Sequence, residues 1–129
     1  PIFRGGGRVF GPRPKDYSFK LNKNLKRLAR KSALSIKAKE SNILVVEDFS
    51  FDTPKTKNFI EVLKAFDIET KKSLFVFGES NKNVYLSSRN LRRSKVVTST
   101  ELSTYELLNA NKVILFESTL EGIESNLSK

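Results

Sequence analysis

Four short apolar runs, in NILVVED, SLFVFG, KVVTS and KVILFE, recur through residues 42–117, and each is followed by a stretch with helical periodicity. Runs of this length, rich in Val, Ile, Leu and Phe and free of polar alternation, suit strands buried on both faces, as in parallel sheets. The intervening stretches are DTPKTKNFIEVLKAF, NKNVYLSSRNL and STYELLNA, and TLEGIESNLS closes the chain. Parallel strands need crossover connections, and helices supply them. The expected fold is therefore α/β, a three-layer α/β/α arrangement on a four-stranded parallel sheet. Asp52 or Thr53 is placed to cap the first crossover helix, with Pro54 in its first turn. The chain has 129 residues, enough for one domain with a core. No internal repeat and no second domain is visible.

Ahead of this pattern the sequence changes character. Net charge is +10, and its distribution is uneven: residues 1–40 carry twelve Lys and Arg against Asp16 and Glu40, while residues 41–129 carry twelve cations and twelve acids. A charge confined to one segment is the footprint of a polyanionic partner rather than a general solubility device. The first twenty residues, PIFRGGGRVFGPRPKDYSFK, fit neither helix nor strand. Gly5, Gly6 and Gly7 free the backbone, and Pro12 and Pro14 hold their neighbourhood extended. Phe3, Phe10, Tyr17 and Phe19 interleave with Arg4, Arg8, Arg13, Lys15 and Lys20. A flexible linker would have little use for that alternation. An RNA-contacting arm uses both kinds of residue, cations for phosphates and aromatics for stacking or wedging. Residues 1–20 are therefore expected to form an extended basic arm, and 21–129 a single globular domain.

The domain opens with a helix expected over residues 22–39, capped by Asn22 or Asn24. At 100° per residue Leu21, Leu25, Leu28, Ala29, Ser32 and Ile36 share one stripe, expected to face the core. Lys23, Lys26, Arg27, Arg30, Lys31 and Lys37 fall opposite, expected to face outward, and Leu34 is out of place among them. No glutamate balances these cations at i,i+4 before Glu40, so the face calls for an external counter-charge. A membrane is the weaker candidate, because the apolar stripe lacks Trp and Phe. A second basic cluster, Arg89, Arg92, Arg93 and Lys95, suits phosphate contact or a solvated turn equally well.

Enzymatic readings find little support. The chain has neither Cys nor His, which excludes disulfides, thiolate chemistry and the commonest general base. Gly6 to Gly11 has phosphate-loop spacing, but Pro12 and Arg13 stand where Lys and Ser/Thr are required. The dinucleotide pattern fails at Phe10. Glu47, Asp48 and Asp52 come after the first strand, where α/β proteins often place function. They are the basis of an alternative reading, a carboxylate- or metal-dependent RNA-processing enzyme, and that reading requires them to converge on one pocket. The blander expectation is that they cap the next helix and fill its loop. A third possibility, a domain binding an acidic protein, would make little use of the arm's aromatics. There is no apolar run long enough to cross a membrane.

The stretch GGGRVFGPRPKDYSFKLNKNLKRLARKSALSIKAKE resembles the ribosomal protein L-four family of the bacterial large subunit. The resemblance continues through VVEDFSFDTPKTKNF, NVYLSSRNL and YELLNANKVIL and covers essentially the whole chain. It implies strand order 1-4-2-3 and a non-catalytic structural role in the large subunit and its assembly. It implies RNA contacts by Phe3, Arg4, Gly5, Gly6, Gly7, Arg8, Phe10, Arg13, Lys15, Tyr17, Phe19 and Lys20 of the arm. Lys23, Lys26, Arg27, Arg30, Lys31 and Lys37 of the basic helix, with Arg89, Arg92 and Arg93, would add to them. The arm would be one limb of a long loop that threads the ribosomal RNA toward the nascent-peptide exit tunnel. Partners would be large-subunit ribosomal RNA, neighbouring ribosomal proteins and, as in some family members, the leader of the protein's own messenger. No small-molecule substrate, membrane, metal or cofactor is implied, with magnesium only as an RNA counter-ion, and the location would be the cytoplasmic ribosome. Family members run to about two hundred residues, and Pro1 is no translated start, so the chain is expected to be the later part of a longer protein.

Overall fold

The computed structural model describes residues 2, 4, 7 and 10–128. Four strands, β1 (Ile43–Val46), β2 (Ser73–Phe77), β3 (Ser94–Thr98) and β4 (Lys112–Phe116), alternate with five helices. The helices are α1 (Lys23–Lys39), α2 (Thr56–Ala65), α3 (Lys82–Ser88), α4 (Thr104–Asn109) and α5 (Glu117–Ser128). The strands form one parallel sheet in the order β1-β4-β2-β3, as the resemblance implies.

Side chains alternate across β2 and split the core in two. Leu74 and Val76 face Val97, Leu107, Val113 and Ile123, with Ala33 of α1, on the side covered by α1, α4 and α5. Phe75 and Phe77 face Phe59, Leu63, Val84, Ile114 and Phe116 on the side covered by α2 and α3. The central strands β2 and β4 are buried on both faces, which is why they read as apolar runs, whereas the edge strands β1 and β3 are partly exposed.

The helix ends are set locally. α1 and α2 each stop in a pair of reverse hydrogen bonds. Asn42 N–H donates to Lys37 O and Ser41 N–H to Ala38 O; Ile68 N–H donates to Leu63 O and Asp67 N–H to Lys64 O. This arrangement needs a left-handed residue just past the helix. Ser41 (φ 53°) and Asp67 (φ 59°) take that role without being glycine.

Two capping expectations change. Asn22 does cap α1 by position, but its side chain makes no capping bond. α2 begins at Thr56 with Lys55 as cap residue, so Asp52, Thr53 and Pro54 lie in the loop before it. The loop is held instead by apolar anchors. Phe49 packs on Phe51 (ring centroids 5.3 Å apart) and on Phe116 (5.2 Å), and Phe77 stacks on Phe116 at 4.0 Å. Asn83 Nδ2 donates to Phe51 O at 2.7 Å.

Candidate nucleic-acid interface

Residues 10–21 contain neither helix nor strand. Gly11, Pro12 and Pro14, and the lack of any apolar period, leave this stretch with nothing to bury. Phe10, Tyr17 and Phe19 are 98%, 82% and 83% exposed. Local contacts order the middle of it: Ser18 N–H donates to Asp16 Oδ1 at 3.0 Å, and Lys15 Nζ stands 5.8 Å from the Tyr17 ring centroid. The bond from Ser18 holds the exposed Asp16 carboxyl below the usual carboxylate range. Arg4, Arg13, Lys15 and Lys20 are exposed, as is Gly7. Phe3, Gly5, Gly6 and Arg8 lie outside the described residues.

α1 docks in the reverse of the expected orientation. Its buried residues are Ala33 and Lys37, with Arg27, Arg30 and Leu34 half-buried. Leu25 (51% exposed), Leu28 (60%) and Ile36 (46%), with Leu21, face away from the sheet. The helix packs chiefly on α4 and also on α5, and the small Ala33 permits the closest approach. Leu34 packs on the same cluster, with Arg30 half-buried and Lys37 buried on this face of the helix. Lys37 Nζ lies 3.9 Å from Glu40 Oε2. Arg27 and Lys31 line a cleft with Leu127 and Ser128 at the end of α5. That helix has no basic residue in its own last turn, so the two cations complement its negative pole. Lys37, Arg27, Arg30 and Lys31 are therefore structural in part, whereas Lys23 and Lys26 stand in solvent. Leu34, the residue that broke the sequence pattern, belongs to the packing face.

The second cluster lies where β3 begins. Arg89, Arg92 and Arg93 are exposed. Arg93 Nη1 donates to Thr70 O at 2.6 Å. Lys95 is engaged by Glu106, whose hydrogen bond and charge raise the lysine pKa above its ordinary 10.5. The remaining oxygen of that carboxylate, Glu106 Oε2, is buried without a partner. Lys72 and Lys112, which no sequence motif singled out, sit beside this cluster. A signal for them exists: each directly precedes or opens an apolar run.

The acids after β1 do not converge. Asp48 caps α5, accepting from Ser118 Oγ at 2.8 Å and Ser118 N–H at 3.3 Å. It thus caps a helix, though not the next one in sequence. Of the three acids only Asp48 lines the open cleft at the carboxyl ends of the strands, together with Gly78, Glu79 and Asn81. Among the described residues no group of three or more Asp or Glu could hold a metal, and no helix is long and apolar enough to cross a membrane.

Residues 1–126 match the family described as ribosomal protein L4/L1. The chain is 74% identical over 129 residues to the large ribosomal subunit protein uL4 of Flavobacterium johnsoniae, covering 100% of this chain and 62% of the relative. It is 73% identical over 128 residues to that of Christiangramia forsetii, covering 99% and 62%. Against the protein of Bacteroides fragilis it is 56% identical over 127 residues, covering 98% and 61%. The chain thus spans about three-fifths of the length of the curated relatives it matches.

Proposed function

Because the chain belongs to the ribosomal protein L4/L1 family, we propose that it serves as a structural constituent of the large ribosomal subunit, without turnover, by binding ribosomal RNA. The observation that carries the reading is the arm. Phe10, Tyr17 and Phe19 stand almost wholly in water, alternating with Arg13, Lys15 and Lys20. Leaving three large aromatics uncovered forgoes roughly 1.5–3 kcal/mol each of burial. Stacking on bases recovers energy of that order, about 1–3 kcal/mol per base. The cations meet phosphates along the same track, and the exposed lysines of α1 extend it. Within the subunit the arm reaches along the RNA toward the peptide exit tunnel, and the α/β body docks beside neighbouring proteins. A messenger leader of similar shape would be bound by the same surface. The location is the cytoplasmic ribosome, and magnesium enters only as a counter-ion of the RNA.

The test is co-sedimentation of the tagged chain with large subunits, alongside a variant with Phe10, Tyr17 and Phe19 changed to Ser. The wild type should enter the large-subunit fraction, and the variant should be depleted from it while its melting temperature is unchanged. Equal incorporation of both would contradict the role given to the arm.

A further inference from the structure

β3 ends the sheet. It pairs with β2 on one side and, among the described residues, with no strand on the other. The phase of its ladder sets what the open side presents. Ser73 N–H donates to Arg93 O at 2.8 Å, and Ser99 N–H to Phe77 O at 2.9 Å. In a parallel ladder the residues turned to the neighbour recur at every second position. Lys95 and Val97 therefore bond to β2, while Ser94, Val96 and Thr98 turn their main-chain groups outward. Two of those groups are used locally: Ser94 N–H donates to Leu91 O (3.3 Å), and Thr98 O accepts from Glu101 N–H (3.1 Å). Ser94 O, the N–H and C=O of Val96, and Thr98 N–H are left facing out, as one side of a further ladder.

Proteins blunt such edges with charge, proline or a covering segment. β3 has no proline, and its one charged side chain, Lys95, is engaged by Glu106. In place of a cover there is an open cleft along the strand. It is lined by Lys95, Val96, Val97 and Thr98, with Tyr85 of α3 and Glu106 of α4 at its flanks. Glu79 and Glu101, both exposed, stand at the carboxyl end of the cleft.

The two flanks differ in chemistry. Side chains alternate along β3: Val96 packs with the core under α3, and Val97 with the core under α4. An added strand alternates in step. Its side chains on the α3 flank meet Val96 and Tyr85, which is 50% exposed, and this suits apolar residues. Those on the α4 flank approach Glu106, whose Oε2 has no hydrogen-bond partner, and the two acids beyond it. Three carboxylates against one cation already engaged by one of them suit Lys or Arg. The nearest other cations, Arg92 and Arg93, stand at the opposite end of the strand, where Arg93 donates to Thr70 O.

We propose that the free edge of β3 is a docking site for an extended basic segment of another protein. The segment adds to the sheet as a fifth strand, with apolar residues toward α3 alternating with Lys or Arg toward α4. This rests on the reading of the chain as a constituent of a ribosomal assembly, and it gives the body's protein neighbour a definite chemistry. Main-chain hydrogen bonds supply the affinity and the two unlike flanks the specificity. The acids of the cleft turn away a phosphate backbone, which separates this edge from the arm.

The probe is a fluorescein-labelled seven-residue peptide alternating Lys and Val, titrated with the whole chain at about 150 mM salt to screen long-range charge. One control carries methyl groups on the third to fifth main-chain nitrogens, and a second has Glu in place of Lys. The alternating peptide should saturate, and both controls should bind at least about 10-fold more weakly. Its binding should shift the amide signals of Val96 and Thr98, and Glu101→Lys should weaken it about 3-fold or more. Val96→Pro removes an outward N–H but no bond to β2, and it should abolish binding. If Val96→Pro fails to fold, Glu101→Lys, a change at an exposed turn, decides.

No saturation by about 1 mM peptide, equal binding of the methylated control, or wild-type affinity in Glu101→Lys would overturn the proposal. A dimer of the free chain that Val96→Pro dissociates would assign the edge to a second copy. Lost affinity for large-subunit ribosomal RNA in folded Val96→Pro would assign it to RNA. Either result overturns the protein-segment reading. Co-sedimentation with large subunits is read separately: a chain that takes the peptide but does not enter subunits refutes the ribosomal role, and the converse refutes this edge site alone.

Discussion

The orientation of α1 sets up an inverted mutational pattern. Ala33 is 2% exposed where α1 meets the body, so Ala33→Leu forces three extra carbons into a filled contact. Overpacking of this kind costs about 1–3 kcal/mol. Leu28 is 60% exposed, so only about two-fifths of its side chain leaves water on folding. Full burial of Leu is worth about 1.5–3 kcal/mol, so Leu28→Ala should cost no more than about 1 kcal/mol, and Ala's higher helix propensity offsets part of it. Enlarging a small residue thus destabilises more than truncating a large one. For a chain of this length 1 kcal/mol moves the midpoint by about 3–5 °C. Thermal unfolding followed by circular dichroism should place Ala33→Leu about 3–15 °C below wild type and Leu28→Ala within about 5 °C of it. If Leu28→Ala melts lower than Ala33→Leu, α1 packs by its leucine stripe and not by the Ala33 face.

Three further outcomes rest on local geometry. Asp67 holds a left-handed conformation at the end of α2, so Asp67→Gly should raise stability by up to about 1 kcal/mol, and Asp67→Val should lower it, by chemical denaturation. Lys95 has a folded-state pKa above 10.5 because of Glu106. The stability from that pair is present below pH 10.5 and lost as pH rises through the folded value. The difference in melting temperature between wild type and Glu106→Gln should accordingly stay constant from pH 7 to 10 and shrink above 10.5. Asp48→Ala removes the cap of α5 and should cost about 0.5–2 kcal/mol without reducing RNA affinity measured well below the melting point; lost affinity in a folded Asp48→Ala protein would return the acids to the functional account.

Fold class, strand number and the crossover pattern are readable because strands buried on both faces leave continuous apolar runs that little else produces. The strand order is available only through the resemblance, since alternation of strands and helices fits several parallel orders. The face of α1 misleads for a physical reason. An apolar stripe at helical spacing says which residues avoid water, not which of them find a partner in this chain. The partner face is instead chosen by Ala33, small enough for close approach, with Leu34, half-buried Arg30 and buried Lys37 beside it, the last two of which pattern counting scores as polar. Asp48 has the chemistry of a capping residue, but sequence proximity points to the wrong helix. Its actual target, α5, lies 70 positions away, a pairing fixed by β1 and β4 being neighbours in the sheet.

The central claim, that this chain grips RNA through many phosphate contacts, is tested most directly by the salt dependence of its affinity for large-subunit ribosomal RNA. With about 6–10 contacts from the arm, α1 and the body, affinity should fall by roughly 10³–10⁵ between about 50 and 200 mM salt. A fall of less than about tenfold over that range would contradict the account, because so few displaced counter-ions cannot be reconciled with a basic arm and helix lying along an RNA backbone.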